Sequence, residues 1–400
     1  MAGTRVLDAY KRRLARFGPA GRYAFATGRL AAHMDRLIPY ARLRDLLEAR
    51  DSERRNEIFR EALDQAAYPQ AGSLEARVEA GRDATDRLLK EICPKSLLPQ
   101  ALLLEEDVHN LKVLLRDWRR RTFVEGGAAA PSAPAETGLP DGLRPMLFME
   151  SFVSPEKLWR ALCADAVHGS AAAGGRPLGA DAAHLTGEKG ARDLLLAMAA
   201  RETEAWAKDP SPVASDLRMD RLRFEALGAL AEAARAEEAD LAAYLAMYRE
   251  WTADLVNAIA ALRLLRLGAE AAVAADVFVP GGRVSEKAAA AAYRVGKSAV
   301  QAAWRETGAE ALIRASKRYL QGGGADLLTK ASDEALLAFA ALGKASGTGP
   351  AQVAAYWLAR RLETQNLRII LTVYDSGIGG SEPERLLRDS YRGGRACEKH

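Results

Sequence analysis

The run Ala291-Ala-Tyr-Arg-Val-Gly296-Lys297-Ser298 ends as a phosphate-cradling loop ends, with Gly-Lys-Ser placed to offer backbone N–H groups and an ammonium to a nucleotide. The pattern G-x-x-x-x-G-K-[ST] opens on glycine, and here Ala291 stands at that position. An Ala-rich stretch of helical composition precedes it where a strand is required, so solvated helix is expected in place of an anion-binding loop. Helical carboxylates hold Mg²⁺ in all-α enzymes, and Glu202 with Glu204, or Glu105 with Asp107, have the chemistry for it. Short acidic runs of this kind are ordinarily a solvated face. The histidines His33, His109, His168, His184 and His400 form no H-E-x-x-H and no cluster with cysteine, which indicates neither zinc ligation nor a base-assisted nucleophile. Cys93, Cys163 and Cys397 are odd in number, far apart and without metal-ligand spacing, as suits a reducing compartment. No catalytic residue, metal or cofactor is expected.

Arg116-Asp-Trp118-Arg119-Arg120-Arg121 joins an aromatic to a basic run and raises a nucleic-acid reading. Its place at the end of a helical pattern, just before a Pro/Gly-rich stretch, favours a simpler one, because cations complement the exposed carbonyls of a helix C-terminus. Arg385, Arg388, Arg392 and Arg395 read the same way, or as a face meeting acidic groups on a partner.

The most informative spacing is an acid followed three residues later by asparagine. The chain has four asparagines, and three of these pairs lie on long helical patterns: Asp107 with Asn110, Asp254 with Asn257, and Glu363 with Asn366. Lys112 and Arg368 each follow their asparagine by two residues, and Arg116 and Arg263 follow theirs by six. Asn56, with Glu53 before it, has the same spacing in a polar, Arg-rich context with no apolar stretch following. An acid and an amide at i and i+3 share a helix face and can simply bond each other. Asn366 argues for more, since it interrupts the stripe Leu358, Leu362, Ile369, Val373 where an apolar residue belongs. A buried amide without partners costs about 1 to 3 kcal/mol, so an asparagine there is expected to fix helix register.

These positions require long helices, and the composition supplies them. Hydrophobic residues are 49% of the 400, but aromatics are only 6%, so the apolar content is largely Ala and Leu, which favours helices over sheets. An all-α protein is expected. Hydrophobic content of 49% with 28% charged residues excludes disorder as the main state, and no run of eighteen uncharged apolar residues is present to span a membrane. The net charge of +4 is too balanced to demand a polyanionic partner by itself. Lys11, Arg12, Arg13 and Arg16 near the start have the basic character of a transit peptide, but Asp8 and the continuing helical pattern oppose that reading. Leu104, Val108, Leu111, Leu115 and Trp118 draw an apolar stripe at helical steps.

Pro and Gly punctuate the chain at 126–145, a second Gly/Ala/Ser-rich stretch runs over 169–190, and Val279-Pro280-Gly281-Gly282 makes a third break. The expected organisation is a helical segment over 1–125, a linker over 126–145, a second segment over 146–280 with a flexible insertion at 169–190, and a third over 281–400. Each segment closes on one long helix bearing an acid-x-x-Asn pair.

At this level the sequence resembles the C-type stalk subunits of the bacterial and archaeal V/A-type ATPases, whose eukaryotic relative is the V-ATPase d subunit. The pieces are Asp107-x-x-Asn110-Leu-Lys112, Asp220-Arg-Leu-Arg-Phe224 ahead of Asp254-x-x-Asn257, and Val279-Pro-Gly-Gly282. Tyr356-x6-Glu363-x-x-Asn366-Leu-Arg368-Ile-Ile370 and Glu384-Arg-Leu-Leu-Arg388-x-x-Tyr391 complete the set. The linker and insertion are longer and richer in Ala and Gly than the resemblance leads one to expect, and no basic residue lies two after Asn257. The resemblance implies three similar helical-bundle domains in a pseudo-threefold funnel, placed between rotor-shaft subunits of the D and F type and the membrane proteolipid ring. It implies a non-catalytic coupling role, peripheral on the cytoplasmic face, with no nucleic acid, small-molecule substrate or membrane span. The competing expectations are an all-α Mg²⁺-dependent enzyme, whose acids would converge on one pocket, and a helical-repeat scaffold for nucleic acid or protein.

Overall fold

The computed structural model describes residues 2–17, 21–49, 52–121, 138–164, 178, 185–236, 238–376 and 382–392. The expected linker up to residue 137, most of the 169–190 stretch, His168, His184, Arg395, Cys397 and His400 lie outside them. Among the described residues the regular structure is entirely helical, in agreement with the Ala- and Leu-rich composition. In chain order the helices are α1 (Ala2–Leu14), α2 (Gly21–Met34), α3 (Tyr40–Glu48), α4 (Ser52–Gln65), α5 (Leu74–Ile92) and α6 (Leu98–Arg119). There follow α7 (Pro155–Cys163), α8 (Gly187–Lys208), α9 (Pro212–Ala234), α10 (Ala239–Leu267), α11 (Ala271–Val277) and α12 (Glu286–Val295). The last are α13 (Lys297–Ala303), α14 (Glu310–Leu320), α15 (Asp326–Ala340), α16 (Leu342–Ala345), α17 (Pro350–Ser376) and α18 (Glu382–Leu386).

Two expected boundaries shift. The end of the Pro/Gly-rich linker is a 3₁₀ helix, Asp141–Met146, because Leu139, Leu143 and Leu147 are buried and draw the backbone onto the protein. Helix α8 starts at Gly187, inside the 169–190 stretch, where Gly190 and Ala191 already pack inward.

The chain gathers into two compact units, one made of Met1–Ile92, Glu250–Phe278 and Gly282–His400, the other of Cys93–Arg249 with Val279–Gly281. These sort residues by packing, whereas the expected segments sort them by repetition. In the first unit α17 is the central helix, packed against α2, α3, α5, α15 and α16. Its Leu367, Ile370 and Leu371 form one core with Ile38, Leu43, Leu46, Phe59, Leu63 and Val78, so the earliest helices are completed by the last long one. In the second unit α6 is central, packed against α7, α8 and α9. Its predicted stripe Leu104, Val108, Leu111, Leu115 and Trp118 is buried throughout. On α17, Leu358, Leu362 and Val373 are buried, Ile369 is half-buried, and the intervening Asn366 is 1% exposed.

Candidate functional site: three buried acid-amide pairs

All six members of the acid-x-x-Asn pairs are buried, from Asn110, Asp254 and Asn257 at 0% exposure to Glu363 at 5%. Side chains of this polarity are rarely buried without bonding partners, and Asp107, Asn110, Asp254, Glu363 and Asn366 find theirs in backbone.

The first pair stands on α6. Asn110 and Phe148 exchange two hydrogen bonds: Asn110 Nδ2 donates to the Phe148 carbonyl at 2.9 Å and its Oδ1 accepts the Phe148 N–H at 2.9 Å. The same Nδ2 also donates to Ser151 Oγ at 2.9 Å. One turn earlier, Asp107 Oδ1 accepts the Val153 N–H at 2.9 Å. His109 sits on the outer side of the hold, with Nε2 2.9 Å from the Met146 carbonyl and its ring edge-on to Phe148. Val153 immediately precedes Ser154, the N-cap of α7.

The second pair stands on α10. Asp254 Oδ1 accepts the Val284 N–H at 3.2 Å, and Val284 immediately precedes Ser285, whose side chain caps α12. Burial pushes the Asp254 carboxyl up to about 7, while the backbone N–H groups of Val284 and Arg283 pull it the other way. The two glycines at the break are needed for close approach. A Cβ on Gly282 would lie 2.6 Å from Asp254 Oδ1. Gly281 adopts φ +102°, and a Cβ there would meet the Arg249 guanidinium at 2.5 Å.

The third pair stands on α17. Asn366 Nδ2 donates to the Arg388 carbonyl at 3.1 Å, and its Oδ1 accepts the Arg388 N–H at 2.8 Å. Glu363 Oε2 accepts the Ile38 N–H, and Ile38 immediately precedes Pro39, the N-cap residue of α3. The other oxygen, Oε1, accepts from the Tyr68 hydroxyl at 2.9 Å and from Arg360. Ser390 closes the arrangement by donating to the Ile38 carbonyl at 2.8 Å.

In each hold the carboxylate takes the N–H of the residue just before a helix N-cap, and it does so at Val153, Val284 and Ile38 alike. In the first and third, the asparagine supplies the pairing face of a peptide group to one further residue. These backbone groups lie where no helix or strand could satisfy them, and an unpaired buried one costs about 1 to 3 kcal/mol. Asn366 and Asn110 therefore bond backbone of a distant segment, not the acid one turn before them. Sequence reasoning does not single out the held segments, Phe148 to Ser154, Gly282 to Ser285 and Ile38 with Arg388, as partners. The available signal is an apolar residue immediately followed by Ser or Pro at the mouth of a helix, in Val153-Ser154, Val284-Ser285 and Ile38-Pro39.

The basic residues two positions after the asparagines meet acids on neighbouring helices. Lys112 Nζ lies 2.7 Å from Asp220 on α9, and Arg368 grips Glu79 on α5 through Nε and Nη2, both at 2.7 Å.

The remaining candidates have ordinary surroundings. Glu202 is held between Arg119 and Arg218, Glu204 pairs with Lys208, and Glu105 pairs with Arg223. Those acids are on different partners and do not converge. In the run ending α6, Arg116 meets Asp216, Arg119 is buried against Glu202 and Trp206, and Arg120 and Arg121 both bond Asp117, which accounts for its charge within the protein. Gly296 joins α12 to α13, so Lys297 and Ser298 begin a helix that follows another helix. Cys93 and Cys163 are free and buried, and burial pushes the Cys163 thiol up to about 11.

Residues 192–383 match the sequence model of the ATP synthase (C/AC39) subunit family. No curated protein matches the chain. The matched stretch runs from α8 into α18 and contains the second and third acid-amide pairs with their glycine break. Over residues 192–383 the chain is therefore similar to the ATP synthase (C/AC39) subunit family of V/A-type ATPases.

Proposed function

We propose that this chain is the non-catalytic central-stalk subunit of a rotary V/A-type ATPase. It couples the soluble rotor shaft to the membrane proteolipid ring and transmits torque for ATP-linked proton or sodium movement. The observation that carries this reading is the threefold recurrence of one hold, in which an acid on a long helix fixes the residue before the N-cap of another helix. On this reading the chain is three copies of one helical unit: the first pair holds the opening of the second copy, the second that of the third, and the third that of the first. The closure of the series accounts for why Glu363 reaches back to Ile38. A part that carries torque needs stiff joints, and buried side-chain-to-backbone bonds between dense helices supply low compressibility.

The non-catalytic assignment is supported by the carboxylates themselves. Asp107, Asp254 and Glu363 accept backbone N–H groups, and Glu202 lies between two arginines, so their bonding capacity serves the fold. Among the described residues no helix is long and apolar enough to cross a membrane, consistent with a peripheral position on the cytoplasmic face. Purification through a tag on this chain, followed by native mass spectrometry, tests the assignment. Masses containing the D- and F-type shaft subunits and the proteolipid ring are expected, and recovery of the chain by itself from cells expressing the whole ATPase would refute it.

A further inference from the structure

The third hold is put together differently from the first. In the first, one continuous stretch of chain supplies the backbone partners: Asn110 pairs with Phe148, Ser151 Oγ donates to the Val153 carbonyl at 2.9 Å, and Asp107 takes the Val153 N–H. The same three roles recur in the third. Asn366 pairs with Arg388, Ser390 Oγ donates to the Ile38 carbonyl at 2.8 Å, and Glu363 takes the Ile38 N–H. Here, however, Ser390 and Ile38 are 352 positions apart. The stretch that is continuous in the first hold is interrupted in the third, and a hydrogen bond does what peptide bonds do between Ser151 and Val153.

The piece that completes the third hold is residues 387–392, a non-helical segment that follows α18. Polar bonds stitch it to its surroundings. Arg388 Nε meets Asp333 on α15 at 2.7 Å, and Lys344 on α16 donates to the Tyr391 carbonyl at 3.4 Å with its ammonium over the Tyr391 ring. At the mouth of α3, the Tyr40 N–H donates to the Arg392 carbonyl at 3.3 Å, and Arg392 returns a bond to the Asp35 carbonyl. The apolar anchors of the segment are Leu387 and Tyr391 alone. Beside it lies a cavity of about 350 Å³ whose walls include Tyr40, Lys330, Glu334 and Asp389. Glu334 is raised by burial and, against the pull of Lys330, by the Asp389 carboxylate that the docked segment brings near it. A segment secured by polar bonds beside a charged cavity has less local stability than the interior of a packed helix.

We propose that residues 387–392 are a detachable clasp, which closes the third hold by docking between Asn366 and Ile38 and undocks as a unit while α3, α15 and α17 stay folded. Closed, the mouth of α3 is gripped from two sides, by Glu363 at the Ile38 N–H and by the clasp at the Ile38 carbonyl and the Tyr40 N–H. Open, it keeps the Glu363 bond alone, and the joint loses stiffness. On undocking, the bonds of the clasp are exchanged for bonds to water, so each contributes little net. Unfolding α17 instead exposes the core around Leu367, Ile370 and Leu371, which is far more costly. The first hold has no comparable open state, because the chain itself ties Ser151 to Val153 and on into α7. The clasp is a property of the joint and stands apart from the coupling role.

Hydrogen exchange of the full chain, read peptide by peptide by mass spectrometry, tests the proposal. The amides of Arg388 and Tyr40 donate across the clasp, to Asn366 and to the Arg392 carbonyl, and are protected while it is closed. Peptides covering 386–392 and 38–42 are expected to show a common protection at least about tenfold below that of the α17 interior over 356–367. Asp333→Asn combined with Ser390→Ala removes two ties of the clasp and is expected to speed exchange in both peptides about tenfold. Unchanged exchange over 356–367 and 148–153 in that variant shows that it is folded. Clasp peptides as slow as the α17 interior in the natural chain would overturn the proposal whether or not the variant folds. A folded variant whose clasp exchanges no faster, or one that frees 386–392 while 38–42 exchanges as before, would overturn it as well.

Discussion

Asn366 and Arg388 are joined as two strands of backbone would be, the side-chain amide of one donating to the carbonyl and accepting from the N–H of the other at 3.1 and 2.8 Å. Leucine at 366 would complete the apolar stripe of α17 but leave both polar groups of Arg388 without partners in a buried place. Asn366→Leu is therefore expected to destabilise the protein by about 2 to 4 kcal/mol despite its gain in hydrophobicity. Urea unfolding followed by circular dichroism measures it, and a midpoint equal to that of the natural chain contradicts the role assigned to Asn366.

Asp254 gives the holds a pH dependence. Its carboxyl is raised from 3.8 to about 7 by burial, so the folded chain binds its proton more tightly than the unfolded chain does. The stability this proton contributes is complete below pH about 4 and is lost as pH rises through about 7, a change of roughly 4 kcal/mol in all. Asp254→Asn keeps an acceptor for the Val284 N–H and removes the titration. Between about pH 5 and pH 8 the natural chain is expected to lose about 2 to 3 kcal/mol more than the asparagine variant. Parallel stability curves for the two would show that Asp254 does not titrate in this range.

The break at Gly281-Gly282 is structural punctuation for that same hold. Gly282→Ala places a methyl 2.6 Å from an Asp254 oxygen whose helix is fixed by packing. A loss of about 1 to 3 kcal/mol is expected, as for other forced overpacking. Chemical denaturation of the variant measures it, and a change inside about 0.5 kcal/mol would mean that the loop moves aside freely.

The Arg368–Glu79 pair gives the opposite expectation. Its geometry is bidentate, but the side chains are 40% and 46% exposed, and ion pairs in that setting contribute little. Arg368→Ala and Glu79→Ala are expected to couple by less than about 1 kcal/mol in a double-mutant cycle. A coupling of several kcal/mol would move this pair into the rigid framework alongside the buried holds.

How far the sequence discloses this arrangement depends on how local each signal is. The stripe through Leu104, Val108, Leu111, Leu115 and Trp118 is local, and it marks α6 and its buried face without ambiguity. Asn366 is legible for the same reason, since a polar residue inside an apolar stripe is conspicuous whatever it bonds, whereas Asn110 and Asn257 are marked only by the acid three residues before them. Their partners are not legible, because Glu363 meets Ile38 across 325 positions and nothing near Ile38 records that its N–H lacks a local acceptor. Periodicity likewise does not reveal that Arg119 and Arg218 enclose Glu202, since a buried ion triad and a solvated acidic face look alike in one dimension. The 3₁₀ turn at Asp141–Met146 is hidden by Pro140 and Gly142, whose turn chemistry outweighs the buried leucines at 139, 143 and 147.

Mechanical coupling is read out by ATP-driven ion uptake. Membrane vesicles bearing the ATPase are prepared with the chain and with the chain deleted, and ATP hydrolysis and ion uptake are followed together. Without the chain, hydrolysis by the catalytic head is expected to continue while uptake is abolished, and adding the chain back is expected to restore uptake. Undiminished uptake by vesicles lacking the chain would contradict the coupling role.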